Sequence, residues 1–142
     1  MLPHDSLLPL LAAVTWCMVG VIWVIQLVHY PLFRHLDPKN FRAAHQFHST
    51  AISFIVIPVM SAELLLSILL WTRRHSLLPT AGILILILIW AVTFTVMIPL
   101  HARLQTDGFQ PAIHRRLLYW NWVRTIAWSL RGILMALLLL PP

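Results

Sequence analysis

Charge is scarce in this chain: its 142 residues include ten Lys or Arg and only four Asp or Glu. A soluble domain carries charge on about a quarter of its residues, so a soluble fold is excluded. Glycine is equally sparse, at four residues, and there are no Gly-, Ser- or charge-rich tracts to act as linkers. A second, soluble domain is therefore not expected, and residues 1–142 read as a single membrane domain. The single cysteine, Cys17, lies inside an apolar run. It can form no internal disulfide and belongs to no CxxC metal motif. The shortage of acids leaves a net charge of +6. In so apolar a chain such an excess sets membrane topology rather than binding nucleic acid, which is not an expected partner.

What is abundant is hydrocarbon, with 60% hydrophobic residues and a mean hydropathy of +0.84. Four stretches, Leu7–Tyr30, Phe47–Trp71, Leu78–Leu100 and Leu117–Leu140, are long enough to cross a hydrocarbon core of about 30 Å. In lipid each must be a helix, because its backbone polar groups have no water to bind, and no alternating pattern supports a barrel. The first stretch lacks a basic leader and exceeds the usual signal-peptide core, so it reads as a retained span. Tyr30-Pro31 is expected to end the first helix and Pro99 the third, with Asp37-Pro38, residues 72–77 and Gly108 to Pro111 as connections. Pro58 is expected to kink the second helix. Short connections make successive helices antiparallel neighbours, so the expected fold is all-α, an up-down four-helix transmembrane bundle.

Arg34, Lys39, Arg42, Arg103, Arg115 and Arg116 fall on one side of this arrangement, and Arg73 and Arg74 on the other. The positive-inside rule places the first group in the cytoplasm and both termini outside, in a bacterial inner membrane.

Histidine is the unusual residue: there are eight, twice the number of acids. His29 ends the first span, His45 and His48 open the second, His101 ends the third and His114 opens the fourth. All four helices thus bring a histidine to the same boundary, with His35 nearby in the loop and only His4 and His75 on the other side. His45 and His48 are three apart and share a helical face. Imidazole is the commonest metal ligand and a usual axial ligand of haem. His29, His45, His48, His101 and His114 are therefore candidate ligands of iron or copper, and His29 and His101, with Arg124, candidate contacts of haem b. The competing reading is that an interfacial histidine is simply solvated, and no local motif such as HExxH fixes a geometry here.

Membrane-depth polar residues add a second pattern. Glu63 lies five helical turns after His45 and faces the same way. On the fourth span His114, Asn121, Arg124, Thr125 and Trp128 form one stripe with Arg131 at its edge, expected to face the bundle interior. Counted from the boundary, Glu63 and Arg131 match in depth. They read either as a structural ion pair or as a relay group with its counter-charge. Arg124 has no obvious acid, which favours an anionic partner such as a carboxylate, a phenolate or a haem propionate. Thr15 and Gln26 lie on the His29 side of the first span. Trp90, Phe94, Met97 and His101 form a stripe on the third that is more typical of packing than of a cofactor pocket. Trp16, Trp71 and Trp120 are candidate interfacial anchors.

Pro99-Leu100-His101, Asn121-Trp122-Val123-Arg124-Thr125 and Tyr30-Pro31-Leu32-Phe33 together resemble small four-helix bacterial membrane proteins related to the anthrone oxygenase-like family. That resemblance implies a four-helix membrane fold and oxygenation of polyaromatic phenols. In size, span number and histidine use, though in no motif, the chain is also similar to the four-helix membrane protoporphyrinogen oxidases that bind haem.

These patterns lead to the expectation of a membrane oxidoreductase or redox-cofactor protein acting on an apolar aromatic or quinone-like small molecule near the cytoplasmic boundary. Glu63, Arg124 and Asn121 are the candidate catalytic residues. The alternative is a non-enzymatic small transporter or an accessory subunit of a membrane complex, using its polar residues for proton coupling or helix packing. A homo-oligomer fits either reading.

Overall fold

The computed structural model describes residues 4–140, with side chains from Ser6 onward; His4 lies outside the described side chains. Every regular element among the described residues is helical. Four long helices, α1 (Ser6–His35), α2 (Phe41–Arg73), α3 (Leu77–Asp107) and α4 (Pro111–Leu139), are each long and apolar enough to cross a membrane. Each helix packs beside its sequence neighbours, and α4 closes the ring against α1. This is the expected up-down four-helix bundle, and α2 is its least covered member.

The helices are longer than expected and the loops correspondingly shorter. At 29–33 residues each they reach about 44–50 Å, more than the hydrocarbon core requires. Residues placed in two broad loops by the sequence are mostly helical, leaving residues 36–40 and 108–110 at one end. Gly108, at φ 79°, ends α3 in a backbone region that L side chains rarely adopt. Pro111 then opens α4 at a position where its missing N–H costs nothing.

Neither Tyr30-Pro31 nor Pro99 stops its helix, and the reason is the same in both. A proline cannot donate to the carbonyl four residues earlier, and its ring crowds that carbonyl. Just before each proline the backbone opens into a wide π turn, at Ile25–His29 in α1 and at Thr93–Met97 in α3. The wide turn absorbs the ring, and the chain resumes an α-helix immediately beyond it. In α3 the extra residue also shifts the helical phase. Met97 points inward at 2% exposure while Phe94 is exposed, so the expected Trp90, Phe94, Met97, His101 stripe is divided. In α2 the helix runs unbroken through Pro58.

Apolar packing occupies the middle of the bundle. Met18 and Ile22 of α1, Met60 of α2, Leu86 and Ile89 of α3 and Trp128 of α4 are buried there. Large apolar side chains such as Phe54, Leu65, Leu84 and Ile133 cover the outside, as a lipid-facing surface requires.

Candidate functional site

Two polar layers, one at each side of this apolar middle, tie all four helices together. The first contains Glu63 and Arg131, which are 0% and 1% exposed. Arg131 Nε donates to Glu63 Oε1 at 2.5 Å, Nη1 donates to the Gly82 carbonyl, and Nη2 donates to Ser67 Oγ. Thr15 Oγ1 completes the set by donating to Glu63 Oε1 at 2.7 Å. Helices α1, α2, α3 and α4 supply Thr15, Glu63 with Ser67, Gly82 and Arg131 respectively. The depth match between Glu63 and Arg131 is thus a direct ion pair.

The second layer lies at the end bearing residues 36–40 and 108–110, and it holds the histidines. His45 Nδ1 lies 2.8 Å from Gln105 Oε1, His45 Nε2 lies 2.9 Å from His101 Nδ1, and His101 Nε2 lies 2.8 Å from the Tyr30 hydroxyl. The amide oxygen can only accept, so His45 Nδ1 carries a proton and donates it to Gln105. His45 Nε2 is then the acceptor for His101 Nδ1–H, and His101 Nε2 the acceptor for the Tyr30 O–H. One amide therefore sets the tautomers of both rings and the direction of the whole chain. His45 also stacks on Phe41 with ring centroids 5.6 Å apart, which holds its plane.

Behind Tyr30 the chain continues into α4. The Arg124 guanidinium adjoins the Tyr30 hydroxyl, and its Nη1 donates to Asn121 Oδ1 at 3.2 Å. Asn121 Nδ2 in turn donates to Gln26 Oε1 at 2.7 Å. Gln26 lies in the π turn of α1, so that turn places both an amide and, just after it, Tyr30.

The remaining histidines separate. His29 and His48 form their own pair, Nδ1 to Nδ1 at 3.2 Å. His114 donates Nε2–H to the Tyr30 backbone carbonyl at 2.7 Å and stays buried. Five histidines expected at one boundary are thus arranged as two pairs and one backbone clamp. Among the described residues no three His, Cys, Asp or Glu side chains converge as a metal-binding group. Glu63 lies in the other polar layer from Asn121 and Arg124, bound to Arg131.

Two lateral grooves meet the histidine layer from the outside. One, of about 340 Å³ between α2 and α3, is lined by His45, Ser49, Ile52, Ile98, His101 and Gln105. The other, about 550 Å³ between α1 and α2, is lined by Val24, Ile25, His29, Phe47, His48 and Ile52 among others. Tyr30 and Gln105 are site residues that the sequence reading missed. Tyr30 precedes a proline and looked like a helix end, and Gln105 lay beyond the expected end of α3.

No protein-family model matches the chain, and no curated protein or solved structure is similar enough to carry an inference.

Proposed function

We propose that this is a multi-pass protein of the bacterial cytoplasmic membrane that takes an apolar aromatic, quinone-like or phenolic molecule from the lipid into the groove between α2 and α3. There it would serve oxidoreductase chemistry at the cytoplasmic boundary. The observation that carries this reading is the directed chain Tyr30–His101–His45–Gln105, two of whose imidazoles line a lateral groove. Interconversion of a quinone and a quinol moves protons as well as electrons. A chain of imidazoles with fixed tautomers can take up or deliver the protons at the ligand oxygen. The mainly apolar groove suits the rest of such a ligand.

The residues also bear on a cofactor. His29 Nδ1 and His48 Nδ1, 3.2 Å apart, match the separation of about 3.3 Å between two ligands of a tetrahedral ion with bonds near 2.0 Å. They are the pair that would hold iron or copper, which would supply one-electron chemistry beside the groove. Haem b, which His29 would hold because both ring nitrogens of His101 are already engaged, is the other redox group under this reading. The likeness to the anthrone oxygenase-like family points to a phenolic ligand.

A second reading is favoured by the Glu63–Arg131 layer. Two polar layers linked to all four helices also suit a small proton-coupled transporter, or an accessory subunit, with no redox step.

The test is the purified full-length protein in lipid nanodiscs, titrated with a short-chain ubiquinone while tryptophan fluorescence, absorption spectrum and metal content are recorded. Saturable quenching that weakens about tenfold in His101→Gln or His45→Gln is expected. A Soret band lost in His29→Ala assigns haem, and stoichiometric iron or copper without it assigns a metal centre. Absence of saturable quinone binding overturns the groove reading, and absence of any redox group favours the transporter.

A further inference from the structure

Among the described residues the bundle buries two arginines, Arg124 and Arg131, and only Arg131 has an acid. Arg131 is paired with Glu63, the buried acid of the described residues. Arg124 is 6% exposed, and its neighbours Asn121 and Tyr30 are both neutral. Its Nε has no hydrogen-bond partner. An unpaired guanidinium in a low-dielectric interior is costly, yet the fold holds this one in place. Gln26 fixes the Asn121 amide so that its oxygen faces Arg124.

Two more donors near this level are unpartnered. Trp128, fully buried and one turn along α4 from Arg124, leaves its Nε1–H without an acceptor. Trp90 of α3 does the same. The contact between Arg131 and the Gly82 carbonyl sets the register of α3 against α4. Trp90 lies eight residues beyond Gly82, and Arg124 seven residues before Arg131, so the two are at one depth. All three free groups are N–H donors. Buried donors are nearly always satisfied; Glu63 Oε2 is also without a partner but belongs to the Arg131 layer, so what is missing at the level of Arg124 is an acceptor with negative charge.

We propose that Arg124, with Trp90 and Trp128, forms a seat for an ionised oxygen inside the bundle, and that the ligand of the α2–α3 groove is a lipophilic weak acid bound as its anion. This rests on the groove reading above and narrows its ligand class. The groove ends on His101, and the Tyr30 hydroxyl and then Arg124 come next behind it. An acidic head passing His101 meets a cation, while an apolar body stays in the groove. Tyr30 donates to His101 and adjoins Arg124, and Arg124 Nη1 donates to Asn121, so the guanidinium Nε–H is left free for the ligand. An ionised enol, phenolate or carboxylate oxygen satisfies it with a charge-assisted hydrogen bond.

The experiment compares two probes on the full-length protein in nanodiscs of neutral phospholipid: a long-chain alkyl hydroxynaphthoquinone, ionised at neutral pH, and its O-methyl ether, which cannot ionise. The anion should bind at least about tenfold more tightly than the ether. Arg124→Gln should abolish that preference, and Asn121→Asp, which places a carboxylate of the chain beside Arg124, should do the same. Because Arg124 is unpaired in the free protein, ligand-free Arg124→Gln should melt no lower than wild type. That separates loss of binding from loss of fold. Excess inorganic phosphate should leave anion binding unchanged, and displacement by phosphate would overturn the lipophilic class. Equal binding of the two probes, or a preference that survives Arg124→Gln, overturns the seat. If both probes bind equally and His101→Gln weakens both, the groove reading stands without it. If neither binds, both fall.

Discussion

Arg131 Nε lies 2.5 Å from Glu63 Oε1, and neither side chain is more than 1% exposed. Breaking such a pair leaves one charge in an apolar interior, which costs more than the pair itself contributes. Glu63→Leu alone, or Arg131→Met alone, is therefore expected to destabilise the protein by about 3–5 kcal/mol. The double variant should recover most of that loss, because two apolar side chains of similar volume replace both charges. Chemical unfolding of the four proteins in detergent measures the coupling. Additive losses would show that the contact carries no pairwise energy.

The same layer explains one glycine. A methyl group on Gly82 would stand 3.0 Å from Arg131 Nη1, whereas one on Gly20 would meet nothing within 4 Å. Arg131 cannot retreat without giving up the Gly82 carbonyl or Glu63. Gly82→Ala is expected to cost about 1–3 kcal/mol. Gly20→Ala, in the middle of α1, should be neutral or stabilising by up to about 1 kcal/mol. Thermal melting of both variants in one detergent checks the contrast, and equal shifts would contradict it.

Periodicity and depth made much of this arrangement legible. The inward stripe from His114 to Arg131 follows from residue spacing on one straight helix, and so does the pairing of Glu63 with Arg131 across two. Where the sequence reading failed, local geometry departed from the ideal helix. Pro31 and Pro99 looked like helix ends because a proline removes a hydrogen bond, and nothing in a single sequence shows that a π turn will absorb the ring. The cost fell on the site. Ending α1 at Tyr30 hid the phenol that links His101 to Arg124, and ending α3 at Leu100 hid Gln105, which sets both tautomers. The division of five histidines into His29–His48, His45–His101 and a lone His114 depends on rotamers and tertiary contacts that spacing does not encode.

Of the two histidine pairs, His29–His48 is the one open to a metal ion. His45 and His101 are engaged at both ring nitrogens by Gln105, by each other and by Tyr30. Among the hydrogen bonds described for His29 and His48, each uses only its Nδ1, toward the other. Copper(II) titrated into the metal-free protein is expected to bind at about one ion per chain, with nitrogen ligands in its electron paramagnetic resonance spectrum. His48→Ala should weaken that binding at least about tenfold, whereas His45→Ala should leave it nearly unchanged. Equal losses in the two variants would place the ion elsewhere.

Orientation in the membrane follows from where the cations stand. Arg34, Lys39, Arg42, Arg103, Arg115 and Arg116 are all exposed at the histidine end, while Arg73 and Arg74 flank the opposite turn. Short connections of this kind are governed by the positive-inside rule, under which each Lys or Arg resists transfer across the membrane. The histidine end is therefore expected in the cytoplasm, and with it the mouths of both grooves. An alkaline phosphatase fusion at the C terminus should be active, and one placed between Asp107 and Pro111 inactive. A green fluorescent protein fusion at the same positions should give the reverse pattern. The balance can also be inverted: removing Arg103, Arg115 and Arg116 while adding lysines beside Arg73 and Arg74 should send a fraction of the chains in the opposite way. Fusion signals that do not change with that redistribution would show that some other feature sets the orientation.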